Sequence, residues 1–152
     1  METRFINLCK KGDLIWLQQL LKLNPEINIS AINDEAFRYT CANGHLHVAQ
    51  WLLQVSKEKG QDINISAENE GAFRNACERG HLEVVKWLAT LNPKYEIINE
   101  DKPNWSCRVL TNPKDIKWNK NKNLVKLASG KSGDNMIFRM PTDVVRITGS
   151  YL

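Results

Sequence analysis

The sequence predicts an all-α solenoid of about three helix-turn-helix repeats, followed by an irregular or partly β C-terminal segment. Self-similarity is the first ground: INISAINDEAFRYTCANGHLHVAQWLL, from Ile27 to Leu53, returns 36 residues later as INISAENEGAFRNACERGHLEVVKWLA, from Ile63 to Ala89. An earlier copy lies 32 residues upstream, with Phe5, Cys9, Gly12, Leu14, Leu20 and Leu21 in the places of Phe37, Cys41, Gly44, Leu46, Leu52 and Leu53. A period of this length marks stacked units, none of which can bury its apolar face alone. The second ground is punctuation, since each copy carries a glycine in its middle, and Asn24-Pro25 and Asn92-Pro93 close the first and third.

Within a copy, Phe37 and Cys41 give apolar positions at helical spacing before Gly44, a residue suited to a left-handed C-terminal cap. Gly12, Gly44 and Gly80 therefore end the first helices. Second helices follow at once, with Leu14, Leu17, Leu20 and Leu21 on one face, matched by Leu46, Ala49, Leu52 and Leu53 and by Leu82, Val85 and Leu88. A residue before proline is pushed out of the helical region, so the Asn-Pro pairs end them. SAINDE (Ser30 to Glu35) and SAENEG (Ser66 to Gly71) read as projecting loops in which Asp34 or Asn69 serves as N-cap. The repeats thus span about 3–25, 31–57 and 67–92 within a unit 1–93, and 94–152 is a divergent cap or basic tail.

The 152 residues, 42% hydrophobic and 25% charged, fit one soluble globular domain or a domain with an appendage. No stretch approaches the roughly 18 apolar residues that span a bilayer. At the N-terminus Lys10 and Lys11 arrive before an apolar run of signal-peptide length can build. The expected compartment is intracellular. The sequons at Asn28, Asn64 and Asn104 are then never presented for glycosylation, and Cys9, Cys41, Cys77 and Cys107 are expected as free thiols.

Gly80 to Leu88, GHLEVVKWL, resembles the second-helix signature of the ankyrin repeat, and the resemblance covers about residues 3 to 92. Where most ankyrin repeats have Thr-Pro-Leu-His, this chain has Glu35-Ala36-Phe37-Arg38 and Gly71-Ala72-Phe73-Arg74. The variant is similar to the ankyrin families of giant DNA viruses that infect amoebae. The resemblance implies a non-enzymatic scaffold that binds a protein partner, a host protein if the chain is viral, through loop tips and the concave face of the first helices. It would act as a monomer in the host cytoplasm, without cofactor, metal or membrane.

Comparing the copies points to the same face, because a solenoid buries only the helix surfaces turned to its neighbours. Asn33, Asp34, Tyr39 and Asn43 become Asn69, Glu70, Asn75 and Arg79, while the Phe, Cys, Gly and Leu positions persist. The candidate partner-binding set is Lys10, Lys11, Asn33, Asp34, Arg38, Tyr39, Asn43, Glu70, Arg74, Glu78 and Arg79.

Reactive chemistry finds less support. Cys41 and His45 are four apart, as are Cys77 and His81, but the intervening glycines break the helix that would align them for zinc. Neighbouring helices about 8 to 10 Å apart neither pool such ligands nor allow a Cys41 to Cys77 disulfide. Each cysteine therefore reads as a small buried residue between helices. His45 and His81 follow the capping glycine and are expected to tie that turn by hydrogen bonds, whereas His47 becomes Glu83 in the next copy and reads as exposed. Trp51 and Trp87 read as core. Ser129-Gly130-Lys131-Ser132 lacks the earlier glycine of a phosphate loop, having Val125 there.

Charge divides unevenly: residues 1–93 hold 10 Lys+Arg against 11 Asp+Glu, and residues 94–152 hold 11 against 6. In KDIKWNKNKNLVK the residues Lys114, Lys117, Trp118, Lys120, Lys122 and Lys126 form a possible nucleic-acid contact, the alternative function. A solenoid also needs a terminal cap. The tail reads as a decayed fourth repeat, with Trp105 following Phe73 by 32 residues and Trp118 following Trp87 by 31. Beyond Gly133, MIFRMPTDVVRITGSYL reads as a short hairpin or an unstructured end.

Overall fold

The computed structural model describes residues 1–129, the side chains of residues 32, 33 and 123–129 excepted; the final segment MIFRMPTDVVRITGSYL lies outside the described residues. Three helix pairs stack in chain order. They are α1 (Glu2–Lys11) with α2 (Leu14–Leu23), α3 (Ala31–Ala42) with α4 (Leu46–Glu58), and α5 (Ala67–Glu78) with α6 (Leu82–Leu91). The first helices pack side by side in the order α1, α3, α5, each against its own second helix. The expected all-α solenoid is present.

One core runs the length of the stack, and the persistent residues supply it. Phe5, Phe37 and Phe73 are fully buried, as are Cys9, Cys41, Leu17, Leu52 and Leu88. Trp51 and Trp87 pack against that core part-buried, and the Trp87 ring lies 6.2 Å from that of Phe37 across the repeat boundary. Gly12, Gly44 and Gly80 end α1, α3 and α5 with φ of 75°, 78° and 77°. There the next backbone N–H reaches back to carbonyls of the last turn, as from Gly44 to Cys41.

The connectors differ from expectation. Neither Asp34 nor Asn69 is an N-cap: the elements start after Ser30 and Ser66, and both residues have positive φ. Glu68, Asn69 and Glu70 form a left-handed turn at the head of α5, so its right-handed part begins at Gly71.

The third repeat is capped by something other than a fourth repeat. β1 (Tyr95–Ile98) pairs antiparallel with β2 (Ser106–Val109) in the register Tyr95 opposite Val109 and Ile98 opposite Ser106. The opposed Glu96 and Arg108 form an ion pair at 2.6 Å. A basic helix, α7 (Pro113–Ser129), follows; Pro113 opens it, because a first-turn N–H needs no helical partner. Tyr95, 1% exposed, stacks on Phe73 with ring centroids 4.0 Å apart, and its hydroxyl donates to the Glu70 carboxylate. Burial and that carboxylate hold the phenol well above its ordinary range. Asn119, also buried, donates to the carbonyls of Pro93 at 2.9 Å and Tyr95 at 2.8 Å and so moors α7 to β1. Trp105, expected to mirror Phe73 in a helix, instead precedes β2, half-buried against the core.

The cap corrects the cysteine expectation for two of the four residues. Cys9 and Cys41 are free and buried, but Cys77 is joined to Cys107 by a disulfide, Cα to Cα 6.4 Å. A strand, not another helix, lies against α5 at this end and comes closer than helix-to-helix packing allows. At the opposite end no element covers α1 and α2 among the described residues. Trp16 is 54% and Leu23 79% exposed there, and they line a shallow cleft with Met1, Arg4 and Leu8.

Candidate protein-binding face

The first helices form one side of the stack, and their buried sides fix where the variable side chains emerge. Lys10 at the end of α1 reaches the next helix and sets its ammonium 3.9 Å from the centroid of the Tyr39 ring. Arg38 of α3 crosses to α5, where its Cδ lies 3.2 Å from the place a Cβ on Gly71 would take. Arg79, just past α5, donates to the Asn43 side chain at 3.1 Å. Each seam between first helices is thus bridged by a cation. Lys11, Arg74, Glu78 and Arg79 are exposed, while Lys10, Arg38, Tyr39 and Asn43 are half-buried.

Three candidates sit differently. Asp34 is not at a loop tip: it is 5% exposed, with one carboxylate oxygen accepting from the Asn64 N–H at 3.0 Å and the other without a hydrogen-bond partner. Glu70 is committed to the Tyr95 hydroxyl and belongs to the cap contact. The side chain of Asn33 lies outside the described residues.

Burial raises the Asp34 carboxyl above its ordinary value of 3.8, against the lowering pull of the Asn64 N–H and Arg38. The folded chain therefore holds this proton more readily than the unfolded one. Stability from this group is greatest below the ordinary carboxylate value and declines as pH rises through and past it. Asp34→Asn keeps an acceptor for Asn64 and removes the charge. It is expected to melt above the parent at about pH 7, with the gap closing near pH 3, as thermal unfolding at both values checks; a gap independent of pH would contradict the charge argument.

The histidines do something the sequence did not foretell. Neither His45 nor His81 caps its own turn through its side chain; the His45 Nε2–H donates at 3.0 Å to the Lys10 carbonyl of the preceding repeat. His47 is exposed. Desolvation pushes the Cys9 thiol up to about 12 and the Cys41 thiol further, so both are poor nucleophiles at neutral pH. Among the described residues no group of three or more His, Cys, Asp and Glu is placed to hold a metal ion, and no helix is long and apolar enough to cross a membrane.

On α7, Lys114, Lys117 and Trp118 fall at helical spacing on one side, and Lys122 places its ammonium 5.3 Å from the Trp118 ring centroid. Trp118 is 37% exposed, and Lys120 is exposed. The Lys126 side chain lies outside the described residues.

A stack of helical hairpins with buried recurring positions and an exposed variable face defines a helical repeat solenoid. Residues 38–89 match the family model described as Ankyrin repeats (many copies), from Arg38 in α3 to Ala89 in α6. Comparison with curated proteins and with solved structures gave no match. Ankyrin repeats are generally protein–protein interaction modules, typically without enzymatic activity.

Proposed function

We propose that residues 1–93 bind a protein partner through the concave face and that residues 94–129 seal the far end of the stack. The observation that carries this is the division within equivalent positions: Phe5, Phe37 and Phe73 are buried alike, whereas Tyr39 gives way to Asn75 and Asn43 to Arg79 at positions open at least in part to solvent. Similarity to ankyrin families of giant amoebal viruses makes a host cytoplasmic protein the partner of this reading. The disulfide adds a condition, because a reducing cytosol keeps such bonds open.

The test is affinity capture with the parent and with the Arg38→Ala/Arg74→Ala double variant. The variant is expected to lose at least about tenfold in affinity, as removal of two interface arginines does, with an unchanged circular dichroism spectrum. Equal recovery of the partner by both would end the proposal. The basic helix α7 supports nucleic-acid binding less well, because Lys122 already covers the Trp118 ring.

A further inference from the structure

Among the described residues, the apolar end at Trp16 and Leu23 shows nothing of what covers it, and Cys9 and Cys41 are shut away between helices. The third cysteine of the series differs. Cys77, in the last turn of α5, is half-buried and bonded to the half-buried Cys107 of β2, so neither is sealed in as Cys9 and Cys41 are. A two-stranded hairpin is at best marginally stable alone in water, and this one lies with β1 along α6 and β2 along α5. The bond ties a weak element to a firm one.

The hairpin in turn holds the connector of the third repeat. Tyr95 bonds to the Glu70 carboxylate and its oxygen lies 3.4 Å from the Ile65 carbonyl, so one side chain of β1 grips both ends of the segment from Ile65 to Glu70. Within it Glu68, Asn69 and Glu70 have φ of 53°, 55° and 63°, a left-handed backbone that side chains disfavour. The preceding seam is built alike: Asp34, equivalent to Glu70, has φ 58° and accepts from the Asn64 N–H. There the holder is the next repeat; here it is the cap.

We propose that the Cys77–Cys107 disulfide is a redox latch: its reduction lets the hairpin leave the third repeat, and the left-handed turn at the head of α5 then relaxes. The latch rests on the sealing role given to residues 94–129 and not on what the first helices bind. A dithiol reductant supplies the chemistry. Its thiolate attacks one sulfur, forming a mixed disulfide and releasing the other sulfur as a thiolate; its second thiol then displaces the first cysteine, and the reductant leaves as a cyclic disulfide. Two electrons and two protons pass to the protein, where Cys77 and Cys107 become thiols.

Hydrogen–deuterium exchange of the intact chain, read by mass spectrometry with and without dithiothreitol, tests it. On reduction the amides of residues 95–109 are expected to exchange at least about tenfold faster, those of 66–71 to follow, and those of α1 to α4 to stay as they were. Reoxidation with glutathione disulfide should restore the first pattern. Cys77→Ser/Cys107→Ser should show the reduced pattern in either condition. Tyr95→Phe keeps a ring on Phe73 but releases Glu70, so with the disulfide intact it should speed residues 66–71 alone. A pattern untouched by reductant overturns the latch, as does faster exchange spread over all six repeat helices, which would make the bond a staple of the whole stack. Faster exchange in the hairpin with no change at 66–71 overturns the coupling to α5. A hairpin unprotected even while bonded would end the sealing role and the latch with it.

Discussion

Gly44→Ala is expected to destabilise the chain by about 2 to 5 kcal/mol, and Gly80→Ala by only about 1 to 2. Both positions hold a left-handed backbone, φ 78° and 77°, where a side chain costs about 1 to 2 kcal/mol. They differ in what lies above them. A Cβ on Gly44 would stand 2.5 Å from Nδ1 of His81, whereas nothing lies within 4 Å of one on Gly80. Gly12 meets His45 in the same way, at 2.4 Å, so each histidine ring rests on the glycine of the preceding repeat. Displacing a ring from a packed contact costs about 1 to 3 kcal/mol more. Urea unfolding of the two variants checks the difference. Adding His81→Ala to Gly44→Ala should return the packing part. Equal losses at Gly44 and Gly80 would show that the histidine contact does not matter.

Opening the Cys77–Cys107 disulfide is expected to cost about 3 to 4 kcal/mol, the chain-entropy value for a closed loop of 30 residues. The loss should fall on the cap, whose other ties to the stack include the Tyr95 contacts with Phe73 and Glu70 and the packing of Ile97, Trp105 and Val109 against the core. Cys107→Ser, compared with the parent in urea with and without reductant, checks it: the variant should match the reduced parent and ignore reductant. A parent midpoint unmoved by reductant would contradict the expected contribution.

Most of the repeat architecture was legible because repetition separates the two roles of a residue. Phe, Cys and Gly recur where backbone and core demand them, and Tyr39 and Asn43 change where solvent permits. Asp34 escaped that logic. Its side chain is polar and varies between copies, but the left-handed backbone turns it inward onto the Asn64 N–H, a contact fixed only by the stacking of the next repeat. His45 escaped for the same reason, as the carbonyl it bonds lies a whole repeat away.

The cap had a readable first half. Leu23 to Ile29, LNPEINI, reappears as LNPKYEI from Leu91 to Ile97, which places Tyr95 where Ile27 is buried. Past Ile97 no copy exists to compare. The pairing of Cys77 with Cys107 was hidden because helix-to-helix spacing was the wrong ruler for a helix against a strand.

The two ends of the stack are unlike, and that gives its melting a direction. Trp16 holds the place that Val48 and Val84 hold in later repeats, yet both valines are buried and Trp16 stands largely in water. In a linear array each unit is stabilised only by its neighbours. The first hairpin has one such neighbour, while the third has a repeat on one side and a bonded hairpin and helix on the other. Disorder should therefore enter at α1 and α2 and travel inward like a zipper opened from one end, reaching the arginines of α3 before those of α5.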